Sequence, residues 1–299
     1  MSSPTLLILA AGIGSRYGAA KLFESISPGN ETIMDYSIYD AHRAGFRRIV
    51  FVIRIDMEHT FKAAIQAHFG LRREIEYAFQ RLARLPAGFH VPPGRIRPWG
   101  TTHAILSAQG IINEPFAVIN VDDFYGAESY RAMAQHLQSG TSDHAMAGFV
   151  LRNTLPEFGP VARGICQVSP QGFLEKIVEL KNVERDDGHA ISTDIEGRET
   201  ALIGNEIACM NMWGFTPAIF DSLECRFRCF LEQNGSDLLA ESYIPVAINE
   251  LLMEGLVRVK VLRCADPWFG ITYQDDHTLA VARVRRLVEA GLYPRKLTI

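Results

Sequence analysis

The chain has 299 residues, 47% of them hydrophobic and 21% charged, with a formal net charge of −4. That composition suffices for one large buried core or two modest ones and excludes a low-complexity or fibrous polymer. The 30 basic residues are scattered, so there is no electrostatic footprint for nucleic acid or an anionic membrane surface.

In chain order, residues 5–11 form a short apolar block closed by Gly12, and IVFVI (49–53) and FAVINV (116–121) repeat the style. The first block is far shorter than the ~20 residues of a membrane span, so it reads as a buried strand. Such blocks, separated by helical patterns at 32–45, 57–69 and 101–110, predict a parallel sheet covered by helices. From Arg163 the style changes, with RGICQV, the turn SPQG and FLEKIVEL predicting a hairpin, and another strand at 207–215. Helices are predicted at 217–232 and 241–254, then the strand VRVKVL, then an amphipathic segment at 276–290 that ends at Gly291. The polar stretch 182–200 reads as a flexible surface loop.

The expected fold class is therefore α/β, a three-layer α/β/α Rossmann-like arrangement. Its central sheet is mostly parallel, with a mixed, hairpin-containing second half. No linker divides the chain, so 1–299 reads as a single domain with parts 1–150, 151–272 and a C-terminal helix and tail at 273–299. The five cysteines are an odd set without a CxxC pair, which points to reduced thiols and a cytoplasmic setting. Cys225 and Cys229 fall one helical turn apart and read as core packing rather than a metal site.

The first strand runs into Gly12-Ile13-Gly14-Ser15. Glycines there allow a tight turn that exposes backbone N–H groups, a cradle for an anion. It is not the dinucleotide fingerprint, because Tyr17 occupies the place of the third glycine, and no Gly-Lys-Ser/Thr makes it a P-loop. Arg16 and Lys21 follow, a guanidinium fork and an ammonium point charge matched to phosphate oxygens. About a hundred residues later Gly100-Thr101-Thr102-His103-Ala104 opens a helix, and Asp122 and Asp123 follow a buried strand. Adjacent aspartates at a strand's carboxyl end are hard-oxygen anchors for Mg²⁺. Capping of the segment that starts at Gly126 is the alternative for one of them. His103 reads as a helix-face histidine with a local hydrogen bond, and Trp99, Trp213 and Trp268 as core.

LAAGIGSRYGAAK, GTTHA and NVDDFYG, in this order, resemble the nucleotide-sugar pyrophosphorylase family of sugar-1-phosphate nucleotidyltransferases. KIVELK (176–181) and ACMNMWGF (208–215) are similar to two further family segments, so the resemblance covers about residues 5–272. It implies a Mg²⁺-dependent enzyme that joins an NTP to a sugar 1-phosphate, giving an NDP-sugar and pyrophosphate. It places Ala10, Ala11, Gly12, Gly14 and Ser15 against the nucleotide, Gln80, Gly100 and Thr101 around the base, and Arg16 and Lys21 on the triphosphate. Asp122 holds the metal, with Asp266 as a second ligand, and Asp123, Gly164, Glu179, Lys181 and Asn211 meet the acceptor. Members are frequently homo-oligomers.

The match departs from the family at two places. Leu22 stands where many members have proline, and the short spacing from Arg16 to Lys21 resembles cytidylyltransferases for molybdopterin or methylerythritol phosphate. Trp268-Phe269-Gly270-Ile271-Thr272 lacks the family's late aspartate. The alternatives are a cytidylyltransferase for a non-sugar phosphorylated acceptor and a non-catalytic nucleotide-binding protein.

Overall fold

The computed structural model describes residues 3–12, 23–69, 75–157, 159–186, 189–271 and 274–298. Ile13, Gly14, Ser15, Arg16, Lys21 and Thr272 lie outside the described residues, so the expectations for them are not addressed by it.

The strands are β1 (Thr5–Leu9), β2 (Arg48–Ile53), β3 (Ile75–Phe79), β4 (Phe116–Asn120), β5 (Asp123–Phe124), β6 (His144–Val150) and β7 (Val161–Val168). They continue with β8 (Leu174–Asp186), β9 (His189–Thr193), β10 (Glu199–Leu202), β11 (Ile207–Phe215), β12 (Val259–Cys264) and β13 (Phe269–Gly270). The helices are α1 (Ile33–Ala44), α2 (Glu58–Phe69), α3 (Thr101–Leu106), α4 (Ala127–Gln138), α5 (Ile219–Asn234), α6 (Ile244–Met253) and α7 (Gln274–Glu289).

Among the described residues, eleven strands form one sheet in the order β10-β9-β8-β7-β11-β4-β1-β2-β3, with β6 beside β11 and β12 beside β6. The pairs β4–β1, β1–β2 and β2–β3 are parallel. From β11 outward to β10 every pair is antiparallel, whereas β12 lies parallel to β6. The fold class is the expected α/β arrangement, with a parallel first half and a mixed second half.

Alternation along β1 builds the layers. Leu6 and Ile8 enter one apolar cluster with residues of α1, α2 and α4, and Leu7 enters another with residues of α3, α5 and α6. A third cluster joins Tyr36 of α1 and Phe124 of β5 to Phe269 of β13, Val284 of α7 and Tyr293 beyond it. The C-terminal segment therefore packs beneath the strand exit that carries Asp122 and Asp123. No helix among the described residues is long and apolar enough to cross a membrane.

Local chemistry sets the helix ends. Thr32 and Asp35 form a reciprocal capping box at the start of α1, and Gly45, at φ +106°, closes it in the left-handed region. The expected loop at 182–200 is instead an extension of β8 followed by the edge strands β9 and β10. Val183, Ala190 and Leu202 turn inward while most of their neighbours stay exposed, so a sparse inward row suffices at a sheet edge.

Candidate active site

The chain leaves β1 and β4 side by side. Leu9 is in register with Asn120, and Val121 N–H donates to the Leu9 carbonyl at 3.2 Å. Ala10 N–H, on the other side, donates to the Val52 carbonyl at 2.8 Å, so the start of the bend is fixed from both flanks. Ala10 and Ala11 are buried, and a Cβ added at Gly12 would meet nothing of the chain. The space above Gly12 belongs to a cleft of about 1490 Å³. Ala11, Gly12, Gln80, Gly100, Thr101 and Asp122, far apart in sequence, all line that cleft.

The base-side wall is built by backbone pairing. Gly100 takes φ +93°, and a Cβ there would lie 2.5 Å from the Ser242 carbonyl oxygen, so only glycine fits without displacement. Ser242 N–H donates to the Trp99 carbonyl and Thr102 N–H to the Ser242 carbonyl, at 2.9 and 3.0 Å. The Thr101 hydroxyl accepts from Ile244 N–H at 2.9 Å at the start of α6. Gln80 Nε2 donates to the Gly100 carbonyl at 2.9 Å and lies 3.3 Å from His103 Nδ1. Burial pushes His103 down to about 4, so the ring is neutral near pH 7.

The stretch 81–98 between Gln80 and Gly100 holds no helix or strand, yet side-chain bonds to carbonyls fix its shape. Trp99 Nε1 donates to the Leu82 carbonyl at 3.1 Å. Buried Arg95 stacks 3.4 Å from the Trp99 ring centroid and donates to the carbonyls of Pro98, Asp237 and Ala240. Trp99 and Trp213 are fully buried, as core aromatics. Arg81, Arg97, Glu241 and Tyr243 complete the cleft rim, and Arg97 pairs with Glu241. The sequence signal for this wall is the length of an ordered loop, since long loops without secondary structure are usually functional.

Asp122 and Asp123 part company. Asp122 is half-buried on the cleft wall, and its carbonyl accepts from Ile271 N–H at 3.1 Å. Asp123 is buried, away from the cleft, and its carboxylate accepts from Asn120 Nδ2 at 2.9 Å and the Tyr125 hydroxyl at 3.0 Å. Burial first, then the Asp122 charge, raise Asp123 well above the usual carboxylate range, and Arg163 opposes that rise. The expected acceptor contact at Asp123 is therefore corrected: alternation across β5 turns its side chain inward, where it supports the strand exit.

Asp266 is also corrected. Its Oδ2 accepts from Glu128 N–H at 2.7 Å and Ser129 N–H at 3.3 Å, capping α4, whose own N-cap residue Gly126 has no side chain to do so. The carboxylate is thus spent on a helix terminus. The capping alternative weighed for Asp122 or Asp123 is met by a residue 138 positions from Glu128.

The acceptor candidates sit on the antiparallel half. Gly164 of β7 is in register with Glu179 of β8 on one side and Cys209 of β11 on the other. Glu179 and Lys181, two apart on one strand, share a face and are exposed. Tyr243 on the cleft rim is raised by burial first and then by Glu241, and Glu179 adds to the rise, so Glu179 stands near that rim. Asn211 occupies an irregularity in β11 at φ +60°, and its buried Oδ1 has no hydrogen-bond partner. A strained backbone and an orphaned polar atom coincide at this one residue. Cys225 is exposed on α5, so the expected core placement does not hold for it.

The nucleotidyl transferase family model matches residues 6–222. The chain belongs to the nucleotidyl transferase family. It is accordingly an enzyme of the nucleotidyltransferase class. No curated protein matches it by sequence. Among solved structures it is similar to a UDP-glucose pyrophosphorylase complexed with UDP-glucose, with TM-score 0.60 and 16% identity over 95% of this chain and 99% of that one. HddC from Yersinia pseudotuberculosis gives 0.57 and 14% over 94% and 99%. The inositol-1-phosphate CTP transferase from T. maritima gives 0.60 and 12% over 95% and 97%. At these identities the likeness is one of fold.

Proposed function

We propose that this nucleotidyltransferase joins an NTP to a sugar 1-phosphate or a similar phosphorylated small molecule, with Mg²⁺, and releases pyrophosphate. The observation that carries the reading is the convergence of Ala11, Gly12, Gln80, Gly100, Thr101 and Asp122 on one cleft. The names of two structural neighbours, a UDP-glucose pyrophosphorylase and an inositol-1-phosphate CTP transferase, are in keeping with an acceptor of that class.

The residues fit the metal. No cluster of three or more His, Cys, Asp or Glu able to hold a metal occurs among the described residues, so they offer no all-protein cage. Asp122, a hard oxygen donor on the cleft wall, suits Mg²⁺, which takes one or two carboxylates and completes its shell with water and substrate phosphates. When bound, the ion supplies charge neutralisation for the phosphates.

An oxygen of the acceptor phosphate attacks the α-phosphorus of the NTP, and the bond from that phosphorus to the bridging oxygen of pyrophosphate breaks. The nucleophile is already ionised at neutral pH, so no general base is required. The chain's work is to bind and orient two polyanions. The Gly12 bend receives the phosphates, Arg16 and Lys21 balance their charge, Gln80 and Gly100 border the base, and Asn211, Glu179 and Lys181 hold the acceptor across Gly164. Incubation with each NTP, Mg²⁺ and a panel of sugar 1-phosphates and polyol phosphates is expected to release pyrophosphate. Folded protein that stays silent across the panel contradicts the proposal.

A further inference from the structure

His103 has both ring nitrogens engaged, and the two bonds are of opposite kinds. Nε2 lies 2.9 Å from the Arg84 carbonyl oxygen, which can only accept, so Nε2 carries the hydrogen. Nδ1 is then a bare lone pair, 3.3 Å from Gln80 Nε2. Gln80 also gives a hydrogen to the Gly100 carbonyl at 2.9 Å, so both amide hydrogens are committed to acceptors. Turning the amide over would set its oxygen against two lone-pair groups at once. The ring itself is held: it is 2% exposed and stacks on Phe227 at 5.1 Å with 22° between planes. The Arg84 backbone is anchored in turn, because its guanidinium donates to the Ser107 and Gln109 carbonyls at 2.8 and 3.2 Å. Gln80 Oε1 accepts nothing from the described chain and stays accessible on the cleft wall.

We infer that His103 is a positioning residue that locks the Gln80 amide with its oxygen toward the nucleobase, so that the enzyme selects NTPs whose base carries a ring N–H. The inference rests on the nucleotide reading above. A glutamine free to turn over offers an oxygen or an amino group and suits bases of either polarity, whereas a locked one only accepts. The ring nitrogen at the base-pairing edge bears hydrogen in uracil, thymine and guanine and a lone pair in cytosine and adenine. Two lone pairs facing one another leave both unpaired in a site shielded from water, which is the discrimination a hydrogen-bonding pocket exerts.

Calorimetric titration of UTP, dTTP, GTP, CTP and ATP with Mg²⁺ into wild type, His103→Phe and His103→Gln tests the lock. Wild type is expected to bind its best ring-N–H nucleotide about tenfold or more tightly than the better of CTP and ATP. His103→Phe keeps the stack on Phe227 but loses the acceptor, and most of that ratio should vanish. His103→Gln, able to accept from Gln80 and donate to Arg84, should restore it. Preference of the wild type for CTP or ATP overturns the inference, as does an unchanged ratio in folded His103→Phe. Failure of every NTP to bind removes the nucleotide reading as well, which an unchanged ratio does not. A histidine-selective ¹⁵N spectrum of the wild-type protein gives a check independent of the variants. At neutral pH the Nε2–H tautomer is expected for His103, and the Nδ1–H tautomer overturns the lock even if no variant folds.

Discussion

In the parallel half of the sheet, the polar groups around the cleft are tied to the chain before a ligand arrives. Gln80 bonds to Gly100 and His103, Thr101 to Ile244, and Ser242 zips the glycine turn on both sides. In the antiparallel half, Asn211 sits at φ +60° with a buried, unpartnered Oδ1, and Glu179 and Lys181 stand exposed. The first arrangement is preorganised, its ordering cost met during folding. The second keeps hydrogen-bonding capacity unmet in the folded chain, which costs stability and leaves that capacity for a ligand. A two-substrate enzyme divided in this way reads the nucleotide with a rigid wall and gains its acceptor contacts on binding.

The division can be broken at Asp122, on the wall of the cleft between the halves. Asp122→Asn is expected to lower pyrophosphate release by about 100-fold or more, with the melting temperature little changed, because a neutral amide is a poor Mg²⁺ ligand. Gly100→Ala attacks the rigid wall alone. Its Cβ meets the Ser242 carbonyl at 2.5 Å with φ at +93°, so a loss of ~1–3 kcal/mol is expected, seen as a lower Tm. NTP binding should weaken in parallel while the acceptor KM holds.

Asn211→Gly gives the opposite signature. Glycine relieves the left-handed strain and removes the orphaned oxygen, so Tm should hold or rise, by no more than ~1 kcal/mol in stability, while the acceptor KM rises about tenfold. A fall in Tm would make Asn211 a structural residue and erase the contrast.

Asp40→Asn is a control remote from both walls. Burial raises the Asp40 carboxyl to about 7, and it accepts from the Tyr293 hydroxyl at 2.6 Å. The folded state therefore holds this proton more tightly than the unfolded chain, and the stability it lends is lost as pH rises through about 7. The variant should melt higher than wild type at pH 8, with the gap closing toward pH 4 and turnover unchanged.

Much of the fold was readable because its signals are local. Thr5–Leu9, Arg48–Ile53 and Phe116–Asn120 are apolar blocks buried on both faces, and Thr32 with Asp35 announces α1. The strand HAMAGFV (β6) carries small residues of weak strand preference, placed by tertiary packing: Gly148 is pressed between Ile207 and Val261. The edge strands β9 and β10 read as a polar loop because only one row of each faces inward. The Gly12, Gly100 and Asp122 motifs were recognisable as sequence, but the roles of Asp123 and Asp266 were not. Which carboxylate faces a cleft, and which caps a helix from the far end of the chain, is decided by tertiary placement alone. The same holds for His103, whose tautomer depends on the carbonyl of Arg84.

The most direct test of the central claim is a crystal structure with a non-hydrolysable NTP analogue and Mn²⁺ in place of Mg²⁺, the metal located by anomalous scattering. The triphosphate is expected over the Gly12 bend with the Mn²⁺ peak at bonding distance from the Asp122 carboxylate and the base beside Gln80. A nucleotide bound elsewhere, or a metal bound to its phosphates but remote from Asp122, contradicts the account.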